Sequence, residues 1–216
     1  MTATRIVIIA KAPIAGFAKT RLIPALGAQA SAELAKRLLL HTVATALASK
    51  LDAVELCATP DPFEGICTGT TGSPTESVWQ NLGLPEGIEW SVQGEGDLGE
   101  RMARATLRCT NRSESILLIG TDCPALTVAV LQSAAQALLE HDAVIVPTYD
   151  GGYALLGLNQ FDASLFDGMP WSTAQVAALT LGHMKRLSWS VKTLATQHDI
   201  DEPADLQWLP ASWGVR

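Results

Sequence analysis

Apolar residues fall in short β-branched runs separated by longer stretches of helical period. Arg5–Ala10 (RIVIIA) is apolar almost without a break, the pattern of a strand buried on both faces. Leu34, Leu38, Val43 and Leu47 recur near 3.6-residue spacing and predict a long amphipathic helix over Gln29–Lys50. Ala53–Thr59 (AVELCAT) predicts a second strand, closed by Pro60 and Pro62. From Asp61 to Gly87 the chain is rich in Gly, Pro, Ser and Thr, which predicts loops with one short helix near Glu76–Leu82. Ile88–Gln93 reads as a weak strand, and Asp97–Cys109 as a helix opened by an Asp97/Glu100 capping box. Ser115–Gly120 (SILLIG) repeats the buried-strand pattern, and a helix over Val128–His141 follows with Thr127 as its cap. Ala143–Pro147 and Tyr153–Leu158 are strands flanking Asp150-Gly151-Gly152. Ser172 and Gln175 predict another capping box and helix, Ser188–Gln197 a last strand, and Glu202–Leu209 a short final helix.

This alternation predicts an α/β fold, a three-layer α/β/α arrangement around a mostly parallel, mixed sheet. The 216 residues suit a single domain over 1–216. Hydrophobic residues at 48% and charged residues at 17% supply a sizeable core and exclude a disordered or charged scaffold. A net charge of −7, from 15 Lys+Arg against 22 Asp+Glu, disfavours nucleic acid as a partner, since phosphate neutralisation needs clustered cations. The cations are not evenly spread. Residues 1–32 hold Arg5, Lys11, Lys19 and Arg21 and no acid, which suits a compact anionic ligand. Cys57, Cys67, Cys109 and Cys123 form no C-x-x-C pair and have no His at ligand spacing, so neither a zinc site nor a disulfide framework is expected. The run after Arg5 is too short for a signal segment or a membrane span, and a cytoplasmic, reduced protein without membrane attachment is expected. No heptad or exposed apolar stripe fixes an oligomeric state.

In such sheets ligands bind beyond the carboxyl ends of the strands, and every polar constellation of this chain sits at such an end. Lys11-Ala-Pro-Ile-Ala-Gly16-Phe-Ala-Lys19-Thr-Arg21-Leu follows the first strand. It matches neither the P-loop nor the dinucleotide G-x-G-x-x-G pattern, yet three cations project from it. Either it is a solvated loop or it binds phosphate; the lack of an acid before Glu33 favours phosphate. Asp122, in Gly-Thr-Asp-Cys-Pro after SILLIG, is a hard oxygen ligand suited to Mg²⁺ or Mn²⁺, or else makes an Asx-turn. In His198-Asp199-Ile-Asp201-Glu-Pro, alternation puts Asp199 and Asp201 on one side of an extended segment as partners for Asp122, while Asp201 also suits an N-cap. Asp150-Gly-Gly is a competent hairpin turn that leaves Asp150 and Tyr153 available to sugar hydroxyls. Trp171 is either a core residue or a wall of a ligand pocket, and His41 and His183 read as helix-surface residues.

The ordered set IIAKAPIAGFAKTRL, GDLGERM, LIGTDCPAL, PTYDGGYALLGL, MPWST and DIDEPADL resembles a bacterial family of radical-SAM/selenodomain-associated transferases, some assigned as glycosyltransferases. That family is similar to the nucleotide-diphospho-sugar transferases, of GT-A type, and the K-T-R-L loop also resembles that of 2-phospho-lactate guanylyltransferases. The resemblance implies that Lys11, Gly16, Lys19 and Arg21 hold nucleotide phosphates, with Asp97 and Arg101 near the nucleotide. It implies that Asp122 and Asp201 are the metal-side residues for Mg²⁺ or Mn²⁺, with Asp199 as the alternative to Asp201. Asp150, Tyr153 and Trp171 would face the sugar or acceptor, and Lys19, Arg21 and Asp150 would carry catalysis. One departure stands out: Gly-Thr-Asp-Cys-Pro supplies a single carboxylate where many glycosyltransferases have Asp-x-Asp. The implied partners are a nucleotide or sugar-nucleotide donor and a small-molecule acceptor. Glycosyl transfer ranks first, nucleotidyl transfer from a nucleoside triphosphate second, and a non-catalytic sugar-nucleotide-binding protein third.

Overall fold

The β-branched runs pair as the pattern requires. In a computed structural model, which describes residues 2–62 and 78–214, they form β1 (Thr4–Lys11), β2 (Ala53–Thr59), β3 (Glu89–Val92), β4 (Ser115–Ile119), β5 (Ala143–Pro147), β6 (Tyr153–Leu158) and β7 (Val191–Thr193). One sheet holds them in the order β3-β2-β1-β4-β6-β5-β7. The β1–β2, β1–β4, β2–β3 and β5–β7 pairs are parallel, while β6 runs antiparallel to both β4 and β5.

Alternate residues of each strand face opposite layers. Ile6 and Ile8 of β1, Leu56 of β2 and Leu117 of β4 pack under α2 (Ala28–Ala48) and α4 (Val128–Ala137). Val7, Cys57, Ile116 and Leu118 pack under α3 (Leu98–Thr110) and α5 (Val176–Arg186) on the other face. Gly157 in β6 admits this packing; a Cβ there would lie 2.4 Å from Val144 Cγ1 and 2.8 Å from Leu117 Cδ2. A third cluster of Leu22, Leu34, Leu38, Ile200 and Leu209 joins the loop after β1 to the segment after β7. A short helix α1 (Ile23–Leu26) links that loop to α2.

At the opposite, amino-terminal end of the strands lies a buried charge network. Arg5 donates to Glu114 (Nε–Oε2 2.7 Å) and Glu89 (Nη1–Oε2 2.7 Å), and approaches Glu55 at 3.5 Å. Glu55 in turn accepts from Arg108 and from Ser91 Oγ.

Several elements differ from the sequence expectation. The 172/175 capping box does not form: Ser172 has φ +62°, and α5 starts after Gln175 without a side-chain cap. The expected strand 188–197 contracts to Val191–Thr193 on the sheet edge, with a single further bridge from Thr148 to Gln197. The helix expected to His141 ends at Ala137, and the final helix is a 3₁₀ turn over Pro203–Trp208. Nor does Asp201 cap that turn. Glu202 does, and Asp205 Oδ2 accepts from the backbone N–H groups of both Asp201 and Glu202. Of the short helix expected near 76–82, a turn over 78–80 is seen; its start, most of the expected loop region and Cys67 lie outside the described residues.

Candidate active site

The carboxyl ends of β1 and β4 and the β5–β6 hairpin open onto a cavity of about 390 Å³. Lys11, Lys19 and Arg21 line it from the loop after β1, Asp122 from the end of β4, and Asp150 and Tyr153 from the hairpin. Trp171 closes one side, and Asp199 and Asp201 enter after β7. Nine of the residues expected at the site therefore meet around one space. Gly16, Asp97 and Arg101 do not line it.

Their positions have local causes. Gly16 has φ +80°, which lets the loop fold back so that the Phe17 ring sits 3.8 Å from Lys11 Nζ. Asp97 caps α3: its Oδ1 accepts from Glu100 N–H at 2.9 Å while Glu100 Oε2 accepts from Asp97 N–H at 2.8 Å. Its carboxylate is thus committed to the helix end. Arg101 donates to the Gly96 carbonyl and to Gln93 Oε1, yet lies near enough to Lys11 that burial first and Arg101 second lower the lysine's pKa. The sequence reading passed over Gln93. It is buried and donates to the carbonyl oxygens of Ala10 (2.8 Å) and Cys57 (3.0 Å), tying together the ends of β1 and β2 beneath the site.

Lys19 is not a free loop cation. Its backbone is left-handed (φ 49°, ψ 44°) and its side chain is 6% exposed. Nζ lies 2.7 Å from Asp122 Oδ1 and 2.9 Å from Asp201 Oδ1, and also donates to the Ile200 carbonyl. Burial opposes its charge, but Asp122 and Asp201 outweigh that and hold its pKa above the ordinary value. Arg21 is exposed and donates to Asp201 Oδ2 at 3.2 Å. The missing local counter-acid is thus supplied from 180 residues away. The Ile200 N–H donates to the Asp122 carbonyl (2.8 Å), and His41 Nε2 donates to the Pro124 carbonyl (3.2 Å), so the turn after β4 is held from two sides. His41 is consequently a packed brace, edge-on to Trp213, rather than a surface residue.

Asp199 stands apart from these pairs. It has no cationic partner among the described residues, and its carboxyl is pushed up to about 6 by burial, then by Asp150, with Asp201 and Asp122 adding to the effect. Asp150 spends Oδ1 on Thr148 Oγ1 (2.5 Å) and Gly152 N–H (2.9 Å), which makes the hairpin turn and still turns the residue to the cavity. Tyr153 directs its hydroxyl at Met102 Sδ (3.9 Å), and burial raises its pKa far enough to keep it a neutral phenol. Trp171 serves both expectations at once: it packs against the core under α3 and α5, beside Gly99, and also lines the cavity. Its Nε1 is buried without a partner. Next to the acids, Tyr149, His198 and Trp208 stack ring on ring at 4.1 and 3.9 Å. Sequence adjacency to Asp150 and Asp199 was the available signal for two of them.

The oxygens of Asp122, Asp150, Asp199 and Asp201 are the hard donors that Mg²⁺ or Mn²⁺ requires, and the unrelieved repulsion at Asp199 fits an added cation. Among the described residues no three acidic, His or Cys side chains are gathered closely enough to hold an ion alone. One or two carboxylates completed by phosphate oxygens and water match this arrangement.

The profile of a family described as "Uncharacterized protein conserved in bacteria (DUF2064)" matches residues 42–173. Among solved structures, a Desulfovibrio desulfuricans G20 protein assigned as a nucleotide-diphospho-sugar transferase is 27% identical. It superposes at a TM-score of 0.84 over 100% of this chain and 89% of its own. The 4-diphosphocytidyl-2C-methyl-D-erythritol synthase of Anaerococcus prevotii DSM 20548 is 14% identical, with a TM-score of 0.58 over 98% of each chain. Rv0371c of Mycobacterium tuberculosis H37Rv, solved with manganese, is 18% identical, with a TM-score of 0.53 over 97% of this chain and 98% of its own. No curated protein matches in sequence. The three-layer α/β fold is that of nucleotide-diphospho-sugar transferases and cytidylyltransferases.

Proposed function

The chain belongs to the DUF2064 family, and from that footing we propose that it is a metal-assisted transferase that moves a sugar from a nucleotide-activated donor to a small-molecule acceptor. The observation that carries this reading is the cavity itself, where Lys11, Lys19 and Arg21 and four carboxylates line one space. The 27% identity to the Desulfovibrio protein favours a sugar nucleotide as donor. The six ordered motifs support a place among the radical-SAM/selenodomain-associated transferases. The reading takes residues 1–216 as one cytoplasmic domain; among the described residues no helix is long and apolar enough to cross a membrane.

Arg21 and Lys11 bind the donor's diphosphate, Arg21 as a fork and Lys11 as a point charge, and stabilise the charge that develops as the sugar–oxygen bond breaks. Asp150 Oδ2, not used in the turn, accepts from the acceptor hydroxyl and orients it at the anomeric carbon. Tyr153 and Trp171 form the wall that fixes the acceptor and excludes water. Asp122 together with Asp201 or Asp199 would hold a divalent ion, which would supply neutralising charge for the leaving diphosphate. The second reading, attack at the α-phosphorus of a nucleoside triphosphate, draws support from the fold shared with the diphosphocytidyl synthase over 98% of each chain.

A thermal-shift screen of nucleotides and sugar nucleotides, each with and without Mg²⁺ or Mn²⁺, tests the proposal. A ligand at 100 times its Kd adds about 2.7 kcal/mol. Metal-enhanced stabilisation by a nucleoside diphosphate or its sugar conjugate supports glycosyl transfer and identifies the base. A response confined to triphosphates replaces it with nucleotidyl transfer. No response to any member overturns both.

A further inference from the structure

The ammonium of Lys19 sits between Asp122 and Asp201, one of the two carboxylate pairs that the proposed reaction offers to a divalent ion. Its three N–H groups face three acceptors: Asp122 Oδ1, Asp201 Oδ1 and the Ile200 carbonyl. No donor is left over for a phosphate, and the side chain is almost fully enclosed. Arg21 takes the second oxygen of Asp201. A +2 ion that takes Asp122 Oδ1 or Asp201 Oδ1 lies next to the ammonium and is repelled by it, and the enclosure of Lys19 at 6% exposure weakens the screening on its side.

We propose that Lys19 is a built-in competitor for the metal position, so that a divalent ion gains Asp122 and Asp201 only when Lys19 swings away, and nucleotide phosphates are what draw it away. Metal and nucleotide binding are then coupled through one side chain. The coupling is reciprocal: a bound ion releases Lys19 towards phosphate as much as phosphate releases the carboxylates towards the ion. The inference rests on the metal-assisted reading above and names the positioning residue that sets the order of binding.

Mn²⁺ alone, followed by electron paramagnetic resonance, is the direct probe. Lys19→Gln removes the charge and keeps a hydrogen-bond donor; it should bind Mn²⁺ at least tenfold tighter than the unmodified protein. Lys19→Arg, which keeps the charge, should not gain. Equal or weaker Mn²⁺ binding by a folded Lys19→Gln overturns the proposal. A second measurement needs no variant. Amine acylation followed by mass spectrometry should find Lys19 protected in the protein alone and reactive once Mn²⁺ saturates. Mn²⁺ binding that leaves Lys19 protected overturns the competition while leaving the metal-assisted reading intact. Failure of every form to bind Mn²⁺, with or without a nucleoside diphosphate, overturns both.

Discussion

Arg21 and Lys11 differ from their neighbour Lys19 in how much of their donor capacity is already spent. Arg21 gives one N–H to Asp201 and is otherwise exposed, and Lys11 rests on the Phe17 ring. Replacing either with alanine should weaken nucleoside diphosphate binding by about 1.5–3 kcal/mol, the worth of a charged hydrogen bond, as read by isothermal titration calorimetry. Unchanged affinity in both would return the loop to a solvated role. Asp199 gives a pH prediction with a definite sign. Its folded pKa of about 6 stands above the ordinary 3.8, so the folded protein binds the extra proton and loses stability as pH rises through that interval. Asp199→Asn should therefore raise the melting temperature at pH 7 and leave it unchanged below pH 4. The gain should be on the order of 1 kcal/mol, after discounting for solvent screening of a half-buried group. At this scale the sequence displayed the right residue types but not their partners. Lys19 and Asp201 lie 182 positions apart, and no local pattern reports that they touch.

Elements were legible where their signal is local. Ala53–Thr59, Ala143–Pro147 and Tyr153–Leu158 coincide residue for residue with strands, because burial on both faces leaves mostly apolar runs, broken in the first by the ion-paired Glu55. The Asp97/Glu100 box is present, since its two hydrogen bonds close within one helical turn. Ser172 has the same sequence signature and fails, because the chain there must turn into the docked hairpin and places Ser172 at positive φ. The edge strand β7 failed for a related reason: its length depends on how much of β5 is left to pair, which its own residues do not encode. The hairpin tip supplies a test. Gly151 has φ +90°, its carbonyl accepts from Ala177 N–H, and a Cβ would lie 2.1 Å from the Ala174 carbonyl oxygen. Gly151→Ala should cost more than the ~1–2 kcal/mol of left-handed strain alone, since the start of α5 must also move. Urea unfolding measures the loss. Turnover should fall by more than stability explains, because Asp150 next to the joint and Trp171 shortly before α5 both line the cavity.

On the scale of the whole molecule, charge is segregated along the strand axis. The Arg5–Glu55–Glu89–Glu114–Arg108 network secures the amino-terminal end, and the candidate site occupies the carboxyl end. Arg5→Met leaves Glu114 without its main partner and Glu55 with Arg108 alone, and should destabilise by about 1–3 kcal/mol in urea, while ligand-induced thermal shifts keep their size. The Arg5 hydrogen bond holds the Glu114 carboxyl below its usual range. That part of the stability is present above the unfolded carboxylate pKa and fades as pH falls through the folded one, so the deficit of the variant should narrow in acid. Loss of the nucleotide response in Arg5→Met would show that the two ends are not independent. The cluster that seats Ile200 against Leu22 and Leu38 has a consequence for the making of the protein. On the ribosome, Lys19 and Arg21 are synthesised early and Asp199 and Asp201 near the last of the described turns. All seven strands of the sheet, the last ending at Thr193, precede both acids in the chain. Until Ile200 docks, Lys19 has only Asp122 as a carboxylate partner, and Arg21 lacks Asp201. During synthesis the sheet can therefore close before the cavity does, and the segment that seats Ile200 is the piece that turns a finished scaffold into an enclosed pocket.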